Sequence, residues 1–212
     1  MQTIDPSIRH LIFDLGGVII NLAPTNTVNA FATLSGLSAD DVFKLYTQQP
    51  VFHDYEKGLL TDAEFRVALR TYFAADATDD QLDACWNAML LDIPIERIQL
   101  LKRLRSKYSL FLLSNTNNIH LQCFNGTVHN LTQQPSLDSL FDRAYYSHEM
   151  KMRKPDTEIY EYVLKQHNLA PHETLFLDDN LSNLEGAQKV GIKTFHVQHP
   201  DLIFTLFNES KA

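Results

Sequence analysis

The stretch Ile8-Arg9-His10-Leu11-Ile12-Phe13-Asp14-Leu15-Gly16-Gly17-Val18-Ile19-Ile20 decides how this chain folds. Leu11-Ile12-Phe13 is an apolar run that breaks at a carboxylate and two glycines. That is the pattern of a buried strand ending in a sharp loop. The same rhythm returns after Pro94. Ile95, Ile98, Leu101 and Leu104 mark one face of a helix, and Leu110-Phe111-Leu112-Leu113 reads as a buried strand ending at Ser114-Asn115-Thr116-Asn117. Ala144-Tyr145-Tyr146 is a short strand, Thr157 to Gln166 a helix, Leu175-Phe176-Leu177 a strand, Asn183 to Val190 a helix closed by Gly191, and Ile192 to Val197 a strand. Strands alternating with helices imply parallel βαβ units in an α/β fold, with helices on both faces of the sheet.

Between the first strand and Pro94 the pattern differs. Apolar residues such as Phe65, Leu69, Tyr72 and Phe73 recur at helical spacing, so about Thr25 to Leu91 is expected to be several helices and no strand. Thr61 followed by Glu64 forms a capping box, which starts a helix at Asp62. This all-helical segment, residues 22–92, is inserted after the first strand of a core made of residues 1–21 and 93–212.

Composition limits what such a protein binds. In 212 residues, 26 acidic against 18 basic side chains leave a net charge of −8, which disfavours nonspecific contact with nucleic acid or an anionic membrane. An anionic substrate needs local help from a metal ion or a few placed cations. No run approaches the roughly 18 apolar residues of a membrane span, and Cys85 and Cys123 give neither a disulfide framework nor metal-site spacing. A reducing, cytoplasmic setting is expected. Oligomeric state is not legible.

In an open parallel sheet, ligands collect at the carboxyl ends of the strands. Those ends carry Asp14, Ser114-Asn115 and Asp178-Asp179, so three strands deliver polar groups to one crevice. Arg153-Lys154-Pro155-Asp156 places a cation just before a helix, with Pro155 suited to its first turn.

These residues, in this order, resemble the four motifs of the haloacid dehalogenase-like superfamily: Phe13-Asp14-Leu15-Gly16-Gly17-Val18, Leu113-Ser114-Asn115, Arg153-Lys154-Pro155 and Leu177-Asp178-Asp179-Asn180. The resemblance covers nearly the whole chain. It implies a Rossmann-like parallel-sheet core and identifies residues 22–92 as a helical cap between the first and second motifs. Phe52-His53, Tyr55-Glu56-Lys57-Gly58, Ser114-Asn115-Thr116-Asn117, Met152-Arg153-Lys154-Pro155, Asn183 and Glu185-Gly186-Ala187 are further similar to the bacterial α-D-glucose-1-phosphate phosphatases of that superfamily, which implies a hexose 1-phosphate or other sugar phosphate as substrate.

The resemblance also implies roles. Asp14 would be the nucleophile that takes up the phosphoryl group, with Mg²⁺ held by Asp14, the Gly16 carbonyl, Asp179 and Asp178. Ser114, Asn115, Lys154, Gly17 and, from the cap, Tyr55 would contact a small phosphorylated metabolite. Lys154 would serve the transferring group rather than the core, so its loss is expected to slow chemistry without unfolding the protein. Trp86 and Cys85 read as core, and Asn21 as a hinge, a substrate contact or an ordinary structural residue. One position departs from the family: the acid that normally follows the nucleophile by two residues is Gly16. That acid protonates the leaving group and is worth typically about 10²–10⁴-fold. The anomeric oxygen of a sugar 1-phosphate leaves more easily and needs it less. Gly16 also favours a rival reading, a phosphate-binding or regulatory protein that has kept the fold and lost catalysis. A receiver domain places its acid pair ahead of the phosphorylated Asp, the reverse of the order here, and a metal-free dehalogenase leaves the second acid pair without a purpose.

Overall fold

The computed structural model describes residues 4–74 and 76–207. Its centre is a five-stranded, wholly parallel sheet built from β1 (His10–Phe13), β2 (Ser109–Ser114), β3 (Arg143–Tyr146), β4 (Thr174–Asp178) and β5 (Lys193–His196), in the order β3-β2-β1-β4-β5. The central strands β1, β2 and β4 are apolar at successive positions because both faces are covered. Ile12 is level with Phe111 and Phe176, and all three enter one core cluster. Their neighbours Leu11, Phe13, Leu110, Leu112, Leu175 and Leu177 enter the cluster on the other face. This is the period-two alternation of a strand, read across three strands in register.

Five helices follow β1: α1 (Pro24–Ser35), α2 (Ala39–Gln48), α3 (Val51–Glu56), α4 (Asp62–Tyr72) and α5 (Asp79–Asn87). They share a third cluster around Phe31, Phe52, Tyr55, Phe65 and Trp86. The capping box sits where the sequence puts it: Glu64 N–H donates to Thr61 Oγ1 at 3.3 Å and Thr61 N–H to Glu64 Oε2 at 2.8 Å. Thr78 and Gln81 form a second one at the start of α5.

The remaining helices are α6 (Ile95–Leu104), α7 (Asn118–Thr132), α8 (Ser147–Met150), α9 (Thr157–His167), α10 (Leu181–Lys189) and α11 (Leu202–Leu206). α7 has only weak cues in the sequence. Its Asn125-Gly126-Thr127 and His129-Asn130 are poor helix formers, and burial of Ile119, Phe124 and Val128 holds it instead. α10 starts two residues ahead of the sequence-based boundary because the Asn180 side chain accepts Ser182 N–H at 2.9 Å. No helix among the described residues is long and apolar enough to cross a membrane.

Candidate active site

The chain leaves β1 on one side of the sheet to make β2 and β3, then returns to the other side for β4 and β5. Asp14 and Asp178-Asp179 therefore flank the point where the winding reverses, the place where a crevice opens. One oxygen each of Asp14, Asp178 and Asp179 lie within 4.8 Å of one another. Lys154 Nζ stands between two of them, 2.7 Å from Asp14 Oδ1 and 2.7 Å from Asp178 Oδ2. Three carboxylates against one ammonium leave two formal negative charges. An all-oxygen site with that deficit suits a hard divalent cation such as Mg²⁺.

The surroundings sort the acids by role. Asp178 is fully buried and has little freedom: besides Lys154, it accepts Asn180 N–H at 2.8 Å and the Asn183 amide at 3.1 Å. Asp179 is more exposed and faces the loop after β1. Burial raises the Asp14 carboxyl above the ordinary range, Lys154 opposes that, and the charges of Asp178 and Asp179 add to it. Burial also works against the Lys154 ammonium, but Asp14 and Asp178 outweigh it and its pKa lies above the usual lysine value.

Gly17 is the glycine that this packing requires. Its φ is +69°, and a Cβ there would lie 2.3 Å from Asp179 Oδ2. Its N–H donates to Ile20 O at 2.9 Å, so it is not free for a substrate contact. Gly16 is different: no positive φ constrains it, and a Cβ would meet only the Leu22 side chain. The backbone N–H groups of Leu15, Gly16 and Asn115 have no acceptor among the described residues. The Ser114 hydroxyl has only a long 3.5 Å contact to Asn115 O. Asn115 uses its side chain as a clasp: its amide nitrogen donates to Lys154 O and its amide oxygen accepts Lys154 N–H, both at 2.9 Å, which fixes the lysine backbone against the end of β2. The cap of α7 is Asn117, whose side chain accepts His120 N–H, and Ser114 is left available.

A cavity of about 200 Å³ opens beside these strand ends. Leu15, Gly16, Ser114 and Asn115 line its floor, and Tyr46, Glu56, Trp86 and His120 line its wall. Tyr55 is not in it. Its ring stacks on Phe65 at 3.9 Å and its hydroxyl donates to Asp62 Oδ1 at 2.7 Å, which makes it part of the helical cluster. Tyr46 and His120 carry no motif, and no signal in the sequence marks them. Trp86 is both core and cavity wall. Asn21 joins the two connectors of the helical segment: its N–H donates to Asp92 O at 3.0 Å, its amide to Asp92 Oδ1 at 2.8 Å, and its carbonyl accepts Leu91 N–H.

A family model of haloacid dehalogenase-like hydrolases matches residues 8–191. A D-ribitol-5-phosphate phosphatase of Bacteroides thetaiotaomicron is 29% identical over 91% of this chain and 93% of its own length. A HAD family enzyme of the same organism, solved as the wild-type protein in complex with magnesium and inorganic phosphate, superposes with a TM-score of 0.78 at 37% identity, covering 89% of this chain and 93% of that one. A (S)-2-haloacid dehalogenase of Burkholderia cepacia is 27% identical over 90% of this chain and 83% of its own.

Proposed function

The chain belongs to the haloacid dehalogenase-like hydrolases, and from that premise we propose that it is a magnesium-dependent phosphatase acting on a small sugar or polyol phosphate through a phosphoryl group carried by Asp14. One observation carries this reading. The Lys154 ammonium stands 2.7 Å from Asp14 Oδ1, and the N–H groups of Leu15, Gly16 and Asn115, without an acceptor among the described residues, belong with the Ser114 hydroxyl to residues that line the cavity at the ends of the paired strands β1 and β2, a set of donors suited to the oxygens of a phosphoryl group and not to a neutral substrate.

Asp14, Asp179 and the Gly16 carbonyl would hold Mg²⁺, with Asp178 behind them, and the ion would neutralise the ester's charge as the phosphorus is approached. An Asp14 carboxylate oxygen forms the new bond to phosphorus while the ester oxygen departs with its electron pair. Lys154 favours the ionised form of Asp14 against the effect of burial and orients it, and the Asn115 clasp keeps Lys154 in place. The departed oxygen takes a proton from solvent; water then attacks phosphorus and gives its proton back to solvent, the electron pair of the bond to Asp14 returns to the carboxylate, and phosphate leaves. Residues 22–92 act as a cap hinged where Asn21 meets Leu91 and Asp92, excluding bulk water from the cavity.

The substrate class rests on two supports. The cap residues resemble α-D-glucose-1-phosphate phosphatases, and a full-length relative is a D-ribitol-5-phosphate phosphatase. Phosphate release with Mg²⁺ across hexose 1-phosphates, hexose 6-phosphates and pentitol 5-phosphates is the test. Wild-type protein should turn over at least one of them, and Asp14→Asn, whose amide cannot carry the phosphoryl group, should lose about 10³-fold or more. Activity retained by Asp14→Asn would refute the mechanism. Tight binding of phosphate with no hydrolysis of any ester would leave a binding protein.

A further inference from the structure

The cavity wall contributed by α2, α3 and α7 holds three polar groups whose hydrogen-bonding capacity is only partly used. Among the described residues the Tyr46 phenol has no hydrogen-bond partner, and burial, reinforced by the Glu56 charge, pushes its pKa up to about 12, so it remains an O–H donor. Glu56 Oε2 accepts from Arg153 at 2.9 Å, while Oε1 has no hydrogen-bond partner among the described residues. Burial would raise the Glu56 carboxyl, but His53 and Arg153 outweigh it, so the group is an anion. His120 sets its Nδ1 2.8 Å from Asn87 Oδ1, which puts the ring proton on Nδ1 and leaves the Nε2 lone pair without a partner among the described residues. Burial lowers its pKa to about 4, so the ring is neutral. It cannot turn freely, because it stacks on Trp86 at 5.0 Å and 5°, and Asn117 holds both the Trp86 indole N–H and the His120 backbone N–H.

One donor and two acceptors, fixed around a cavity that opens beside Ser114 and Asn115, match the hydroxyl groups of a carbon chain attached to the phosphate oxygen. Resting on the phosphatase reading, we propose that Tyr46, Glu56 and His120 determine specificity: Tyr46 donates to, and Glu56 and His120 accept from, substrate hydroxyls, so the site selects polyhydroxylated esters over alkyl esters of equal length. The selectivity comes from the penalty on the wrong substrate. An alkyl chain would displace water from these groups and return nothing, whereas each hydroxyl restores a bond. It also separates two functions of the site. The floor reads the phosphoryl group common to all substrates, and the wall reads the leaving group.

The test compares pentitol 5-phosphate with pentyl phosphate, both primary esters of five carbons, as kcat/KM of the Mg²⁺-loaded protein. Wild type should favour the pentitol ester by about 100-fold or more. Tyr46→Phe and Glu56→Gln should each reduce that ratio by about fivefold or more, as expected for one lost hydrogen bond. His120→Gln tests the third group. Monodeoxy pentitol phosphates assayed on the unaltered protein keep the question open to refutation should a variant fail to fold: at least one deletion should cost about fivefold or more. Equal hydrolysis of pentitol and pentyl esters by wild type, or a ratio that none of the three variants moves, would overturn this proposal while leaving the phosphatase reading in place. Hydrolysis of no ester at all would overturn both.

Discussion

Replacing Lys154 by Met should destabilise the metal-free protein strongly, against the expectation from sequence that this lysine serves chemistry alone. The side chain is 1% exposed and ties Asp14 to Asp178 through two 2.7 Å contacts. Removing one partner of a buried ion pair costs about 3–5 kcal/mol, because the remaining charge is left uncompensated in a poorly solvated place. Contact of the ammonium with the Phe176 ring, 5.1 Å from its centroid, is lost as well. Two features pull the figure toward the lower end. Asp178 keeps the Asn180 and Asn183 donors, and Asp14, already raised above 3.8, can take up a proton. A loss of about 3 kcal/mol lowers Tm by about 6–12 °C in a protein of this size. Thermal and urea unfolding at pH 7, in chelator and in saturating Mg²⁺, measure it. The deficit should narrow in Mg²⁺, which supplies the missing positive charge and binds the native state only. It should narrow on acidification too. A carboxyl whose folded pKa is raised binds more protons folded than unfolded, so stability falls as pH rises above its unfolded value and recovers as pH drops. A deficit below about 1 kcal/mol in chelator, indifferent to Mg²⁺, would refute the reasoning.

Gly16 supplies no acid to the leaving group, so kcat should climb steeply from hexose 6-phosphates to hexose 1-phosphates and aryl phosphates; a flat series in a chemistry-limited assay would reveal another proton donor. Gly16→Asp should fold after the Leu22 side chain moves and should flatten the series, whereas Gly17→Ala, at φ +69° and against Asp179, should weaken Mg²⁺ binding measured by calorimetry. His120, lowered from 6.5 to about 4 by burial, binds fewer protons folded than unfolded, so it adds stability that is present above pH 6.5 and is lost as pH falls toward 4. The difference corresponds to about 3 kcal/mol, and urea unfolding between pH 4 and 7 should show a shallower slope for His120→Gln; identical slopes would show that His120 is not the group responsible. Thr61→Ala should cost about 1 kcal/mol by removing the cap of α4, and unchanged unfolding would mean that tertiary packing alone holds that helix end.

The strands were legible from the chain because their burial on both faces demands unbroken apolar runs, and Leu11-Ile12-Phe13, Leu110 to Leu113 and Leu175-Phe176-Leu177 have them. The floor of the site was legible for a related reason. Asp14, Ser114-Asn115 and Asp178-Asp179 follow such runs, and a parallel sheet brings all strand ends to one edge, so the sequence places them together. The Thr61 capping box was equally local, a matter of two side chains three residues apart. What the sequence could not carry depends on contacts between distant segments. Tyr46, Glu56 and His120 stand on three helices and meet only because the helical cluster docks on α7 beside the sheet. Tyr55 looks like its neighbour Glu56 in the sequence, yet it turns inward onto Phe65 while Glu56 faces the cavity, since adjacent residues on a helix point about 100° apart and only docking decides which one meets the site. Lys154 reads from the sequence as a cation of the site, but its burial between Asp14 and Asp178 is not legible there, because burial of a charge is a property of what packs over it, 140 residues away in one case and 24 in the other.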